Sequence, residues 1–203
     1  MAAKVKICGL RDREEARLVC RFMPDYVGLV FAPGKRTVDT VRAGEILDEV
    51  PAGIQTVGVL VNMEPGRAAA LREMLGLDIL QLHGDETLED MKALGGRIWK
   101  MLHPGTDPET VWRTLQVAER VLMDSGNRKQ RGGTGKVFDW SLLENCDWND
   151  RLVLAGGLDP DNVRQALETV RPDVVDVSSG VETDGRKDPD KVRRLIMEVR
   201  SWK

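Results

Sequence analysis

Short apolar runs rich in β-branched residues recur along the whole chain: Val5 to Cys8, Tyr26 to Phe31, Thr56 to Val61, Ile79 to Leu82, Ile98 to Leu102, Val121 to Met123, Leu152 to Ala155 and Val174 to Val177. Most of the gaps hold a stretch with the period of an amphipathic helix, as in Arg13 to Phe22, Val41 to Val50, Arg67 to Leu75, Val111 to Ala118, Val163 to Val170 and Val192 to Val199. Near-continuous apolar strands separated by helices predict a parallel sheet covered on both faces. Eight such units favour an α/β fold with a closed, eight-stranded (β/α)8 TIM barrel over an open doubly wound sheet. At about 25 residues per unit the 203-residue chain lies at the compact end for this architecture, with little length left for insertions. Residues 1–203 read as one domain.

Local signals support that register. After the seventh strand, Gly156-Gly157-Leu158 leads to Asp159 as a helix N-cap with Pro160 at the first helical position, and Asp139 is placed to cap a helix opening at Trp140. The stretch from Ser125 to Val137 is the most loop-like in the chain, with four glycines among basic residues, and reads as a lid.

Composition narrows the ligand class. Hydrophobic residues make up 41% and charged residues 31% of a chain whose net charge is -3, which excludes a chain too polar to fold. The basic residues are interspersed with acidic ones, so neither nucleic acid nor a membrane surface is an expected partner; a small molecule is. Cys8, Cys20 and Cys146 are widely spaced without a CxxC pair, and no secretory apolar region or membrane-length run occurs, which points to the reducing cytoplasm. His83 and His103 do not stand at metal-ligand spacing, and no metal is expected.

In a βα barrel the chemistry lies where the strands end. Those positions carry Cys8, Arg36, Asn62, His83, Asp124, Gly156, Gly157, Ser178, Ser179 and Gly180. The glycines after the seventh and eighth strands suit a phosphate held by backbone N–H groups, although tight turns alone would also require them. Gly132 to Lys136 is not a nucleotide P-loop, because Gln130 and Val137 replace its first glycine and its terminal Ser or Thr. Cys20 and Cys146 read as small buried hydrophobes, whereas Cys8 shares the inward face of its strand with Lys6, so a functional thiol and a buried one both remain open. Asp124 is either a rim carboxyl group or a turn residue. Arg36 is either a solvated charge or a bidentate grip on a carboxylate. Gln81 and His83 share an inward face, and His83 has a structural and a functional reading.

The motifs of these strands, taken in order, resemble the phosphoribosylanthranilate isomerase family over essentially the full length. They are Lys6-Ile7-Cys8-Gly9-Leu10, Val27 to Pro33, Val57 to Asn62, Leu80 to Gly84, Gly133 to Trp140, Leu154 to Leu158 and Val175 to Glu182. The resemblance implies a cofactor-free Amadori rearrangement in tryptophan biosynthesis, converting N-(5-phosphoribosyl)anthranilate into 1-(2-carboxyphenylamino)-1-deoxyribulose 5-phosphate. It assigns Cys8 as general base and Asp124 as general acid. It also implies that Arg36 grips the anthranilate carboxylate, that the Gly157 and Ser179-Gly180 backbone cradles the phosphate, and that Gly156 and Ser178 belong to the substrate-binding set. Asp176 would project toward the site, orienting Arg36 or the substrate hydroxyls, and His83 would line it. The working form would be a monomer or homodimer. The chain departs from the family pattern in the short turn before Arg36, with Gly34, and in Thr37, where an aromatic residue is frequent. Other phosphate-binding barrels, such as indole-glycerol-phosphate synthase or a pentose-phosphate epimerase, share the glycines but lack the Cys8 and Asp124 pair. A ligand-binding barrel without activity is the alternative from another class.

Overall fold

In a computed structural model, which describes residues 3–124, 139–143, 148 and 150–202, the eight apolar runs form eight parallel strands. These are β1 (Lys4–Cys8), β2 (Tyr26–Val30), β3 (Gln55–Leu60), β4 (Ile79–Leu82), β5 (Ile98–Leu102), β6 (Arg120–Met123), β7 (Leu152–Leu154) and β8 (Val174–Val177). They pair in chain order, and β8 returns to β1 with Lys4 opposite Val174 and Lys6 opposite Asp176, closing the barrel. The predicted fold is therefore the observed one.

Strand alternation builds two apolar layers. Val5, Ile7, Val27, Leu29, Val175 and Val177 point outward and pack with helix residues such as Ala16, Val19, Val192 and Leu195. Tyr26, Val57, Ile79, Trp99, Leu122, Val153 and Val174 point inward and fill the lower barrel, where Trp99 meets Tyr26 edge-on at 4.9 Å. Aspartates at the strand entrances pin the register: Asp25 accepts the Val5 N–H at 2.9 Å, and Asp78 accepts the Thr56 N–H at 2.7 Å.

The helices are α1 (Arg13–Cys20), α2 (Thr40–Leu47), α3 (Pro65–Leu75), α4 (Leu88–Leu94), α5 (Pro108–Leu115), α6 (Val163–Val170) and α7 (Pro189–Ser201). Seven residues are too few for α4 to display a helical period. Its signal is instead a capping box between Thr87 and Asp90. Asp159 does not directly precede α6. Its carboxylate accepts the N–H groups of Asp161 and Asn162, and its carbonyl that of Val163, so it caps a turn that enters the helix three residues later than expected. At Trp140 a 3₁₀ turn, Trp140–Leu143, follows Asp139 in place of the expected α-helix among the described residues. The predicted lid from Ser125 to Val137, and Cys146, lie outside the described residues.

After β8 the chain makes a hairpin of β9 (Glu182–Thr183) and β10 (Arg186–Lys187), which the apolar pattern does not announce. Its strands are too short to alternate. The legible signal is Asp184-Gly185, whose consecutive positive φ angles of 50° and 73° make the reversal. No helix of the described residues is long and apolar enough to cross a membrane.

Candidate active site

The C-terminal ends of the strands surround a cavity of about 520 Å³, reached by Cys8, Arg36, Gln81, His83, Asp124, Gly156, Gly157, Asp176, Ser178, Ser179 and Gly180. Cys8, Arg36, His83, Asp124, Asp176 and the glycine and serine positions after β7 and β8 thus share one mouth, whereas Asn62, also at a strand end, does not line it and accepts the Asp85 N–H at 2.7 Å instead. A larger, open depression on the outside of α1 is lined by Arg17 and Glu49, which already satisfy each other in a two-bond ion pair, so it offers no convergent chemistry.

Cys8 ends β1 with its thiol on the inner face. Gly28 on the neighbouring strand leaves the space for it, since a Cβ there would lie 2.8 Å from Sγ and 3.2 Å from the Lys6 side chain. Below the thiol, Lys6 is wholly buried and donates to Asp176 Oδ2 at 2.7 Å. Burial pushes the Cys8 thiol above the ordinary cysteine value, Lys6 and Lys187 pull it back only in part, and Asp176 adds to the rise. The positive groups beside the sulfur moderate its desolvation without reversing it.

Across the mouth, Asp124 follows β6 and is buried, with Oδ2 3.5 Å from His83 Nε2. The other imidazole nitrogen, Nδ1, is 3.0 Å from the Gln81 amide. Burial drives the His83 pKa down to about 4, so the imidazole is neutral at pH 7 and its contact with Asp124 is no ion pair. On two cavity-lining residues, Asp176 Oδ1 and Gln81 Oε1 are buried acceptors with no hydrogen-bond partner among the described residues. Such groups suit a ligand's hydroxyl or N–H donors.

The loop after β2 is fastened by Thr37, whose single hydroxyl hydrogen is shared between the Ala32 carbonyl at 2.6 Å and the Gly34 carbonyl at 3.0 Å. It delivers Arg36 to the rim. There Arg36 donates through Nε and Nη2 to the two oxygens of Glu182, at 2.8 and 2.7 Å. Of the two tasks expected of Asp176, orienting Arg36 therefore falls to Glu182, because Asp176 is engaged below by Lys6. Glu182 ended a quoted motif, yet nothing local marked it as the partner of a residue 146 positions away. Lys6 and Lys187 were likewise missed as parts of the site. For Lys6 the shared inward parity with Asp176 was the available signal.

The glycine-bearing loops adjoin this rim. Gly156 and Gly157 adopt positive φ angles of 87° and 71°. Gly180 lies in a 3₁₀ turn, Ser179–Val181, and a Cβ on it would collide with the Leu158 carbonyl, so the two loops are packed backbone to backbone. A short helix after the eighth strand beside a glycine turn after the seventh is the usual barrel setting for a phosphate. The Ser178 hydroxyl itself is turned to β1, donating to the Cys8 carbonyl at 3.0 Å.

Known proteins share this sequence pattern and fold. The profile of the family described as N-(5'phosphoribosyl)anthranilate (PRA) isomerase matches residues 5–198. A protein of Clostridium acetobutylicum named N-(5'-phosphoribosyl)anthranilate isomerase is 42% identical, the match spanning 98% of this chain and 99% of that protein. The crystal structure of phosphoribosyl anthranilate isomerase from Thermotoga maritima superposes with a TM-score of 0.85 at 36% identity, over 98% of this chain and all of that one (100%). Another solved isomerase, in complex with reduced 1-(o-carboxyphenylamino)-1-deoxyribulose 5-phosphate, is similar at TM-score 0.81 and 35% identity, over 98% of this chain and 100% of that one. With the fold, the ordered strand motifs and the near-complete coverage in agreement, this chain belongs to the N-(5'-phosphoribosyl)anthranilate isomerase family.

Proposed function

We propose that the chain isomerises N-(5'-phosphoribosyl)anthranilate to 1-(2-carboxyphenylamino)-1-deoxyribulose 5-phosphate in tryptophan biosynthesis, with Cys8 as base and Asp124 as acid. The observation that carries the assignment is the cavity itself. A thiol from β1 and a carboxyl group from β6 line one space, with Arg36 at its rim and the loops after β7 and β8 beside it. The substrate has a carboxylate at one end and a phosphate at the other, and these features suit both.

In the reaction Asp124 gives its proton to the ribose ring oxygen as the C1′–O bond breaks. The nitrogen lone pair forms the C=N bond of a Schiff base. Cys8, as thiolate, then removes the C2′ proton; the electrons of that bond form the C1′–C2′ double bond while the C=N π pair returns to the nitrogen, giving an enolamine that tautomerises to the ketone. Asp176 Oδ1 and Gln81 Oε1, unpartnered among the described residues, accept from the sugar hydroxyls. His83 packs against Asp124 as a neutral imidazole. The backbone of Gly156, Gly157, Ser179 and Gly180, with Ser178 behind it, receives the phosphate. All bonds are made and broken within the substrate by proton transfer, so the scheme uses no cofactor. The free thiols of Cys8 and Cys20 fit a reducing cytoplasm.

The direct test generates phosphoribosylanthranilate in situ and follows the loss of its fluorescence with purified protein. Turnover in proportion to protein concentration is expected. A folded protein that leaves the signal unchanged would refute the assignment.

A further inference from the structure

The hairpin of β9 and β10 places two charged groups, Glu182 and Lys187, against cavity-lining residues, and the proton transfers do not use them. Lys187 is buried to the tip, and its ammonium has three hydrogens for three acceptors: the Cys8 carbonyl at 2.7 Å, the Ser178 carbonyl at 3.0 Å and Glu182 Oε1 at 2.9 Å. Glu182 in turn takes the Nε and Nη2 hydrogens of Arg36 in a two-bond fork. The hairpin is anchored from outside. Arg186 pairs with Asp12, the Lys187 N–H reaches Glu15 on α1, and Lys191 Nζ holds the Glu182 carbonyl at 2.7 Å. Gly9, at a positive φ of 81°, also packs against Arg36, whose side chain a Cβ there would meet.

We infer that Glu182, held by Lys187, is the positioning residue for substrate carboxylate recognition: it occupies one edge of the Arg36 guanidinium and so presents the remaining Nη1 edge to the cavity. A free arginine has five donors and many rotamers, and ordering it on binding costs entropy that this fork has already removed. The charges also fit. Arg36 and Lys187 against Glu182 leave one net positive charge, matched to one carboxylate. Burial opposes the ionised form of Glu182, but Arg36 and Lys187 outweigh it and hold the carboxyl below its usual range, so the fork persists at neutral pH. Through the same ammonium, the carboxylate grip is tied to the backbone of the base and to the loop on the phosphate side.

This inference rests on Arg36 being the carboxylate grip. The test compares Glu182→Gln, which is isosteric, with Arg36→Ala and the double variant. It uses substrate kinetics and two inhibitors, the reduced product analogue and the corresponding anilino compound without the carboxyl group. Glu182→Gln is expected to raise KM about tenfold with kcat within about threefold, and to weaken the carboxyl-bearing inhibitor tenfold while leaving the anilino compound within twofold. In the Arg36→Ala background the same change should add less than twofold. Equal weakening of both inhibitors, an unchanged KM, or effects that multiply in the double variant would each overturn the role of Glu182. An Arg36→Ala variant with wild-type KM and wild-type affinity for the carboxyl-bearing inhibitor would instead overturn the reading of Arg36.

Discussion

At the scale of single residues, the cavity sets a conflict between burial and ionisation. The proposed base must be a thiolate, yet burial holds Cys8 as a thiol above the ordinary cysteine value, with Lys6 and Lys187 compensating only in part. Thiolate is the form that reacts with alkylating agents. In the unliganded protein, carbamidomethylation of Cys8 by iodoacetamide, located by peptide mass, should therefore rise about tenfold per pH unit through and beyond pH 8. A rate already level at pH 7 would show a thiolate that the described surroundings do not support. For turnover, Cys8→Ser and Asp124→Asn should each lower kcat by about 100-fold or more, because each removes a proton-transfer group. Retention of full activity by either variant would remove that residue from the mechanism. Cys8 was visible in the sequence as an inward strand-end thiol. Its surroundings were not, since Asp176 and Lys187 lie more than a hundred residues away along the chain.

At the scale of elements, the strands do more than carry side chains to the mouth. Adjacent β1 and β2 stand in register with Cys8 opposite Gly28, and the missing Cβ of Gly28 is what gives the thiol room. Gly28→Ala places a methyl group 2.8 Å from Sγ and 3.2 Å from Cε of Lys6, so one of them must move. Overpacking of this kind costs about 1–3 kcal/mol. A comparable fall in unfolding free energy is expected by urea titration, together with a drop in kcat larger than the change in KM. Unchanged kcat would mean that the thiol tolerates displacement. The glycine itself was legible, but its purpose required the register, because a strand glycine reads equally as a bulge, a bend or a close approach.

At the scale of the whole molecule, the mouth of the barrel buries titratable groups, and stability follows pH accordingly. His83 has a folded pKa of about 4 against 6.5 when unhindered. The unfolded chain therefore binds a proton that the folded one refuses. Stability contributed by the neutral imidazole is fully present above about pH 6.5 and is lost as pH falls from there toward 4, by on the order of 3 kcal/mol in all. Urea midpoints measured at pH 7, 5.5 and 4.5 should fall more steeply for the wild type than for His83→Asn. Parallel declines would show that His83 is protonated in the folded state or accessible to water.

The sequence by itself determined the barrel, its strand order and which strand ends face the mouth, because each element announces its own period and a parallel strand covered on both faces must be apolar along its length. It also carried the thiol, the carboxyl group and the glycine turns to their places, since these follow directly from strand ends. Tertiary structure alone decided the pairings: Lys6 with Asp176 across the β1–β8 seam, and Glu182 with Arg36 and Lys187 over the rim. The contacts of Lys6 with Asp176 and of Arg36 with Glu182 span 170 and 146 positions of the chain, and they come into being only when the eighth strand closes on the first.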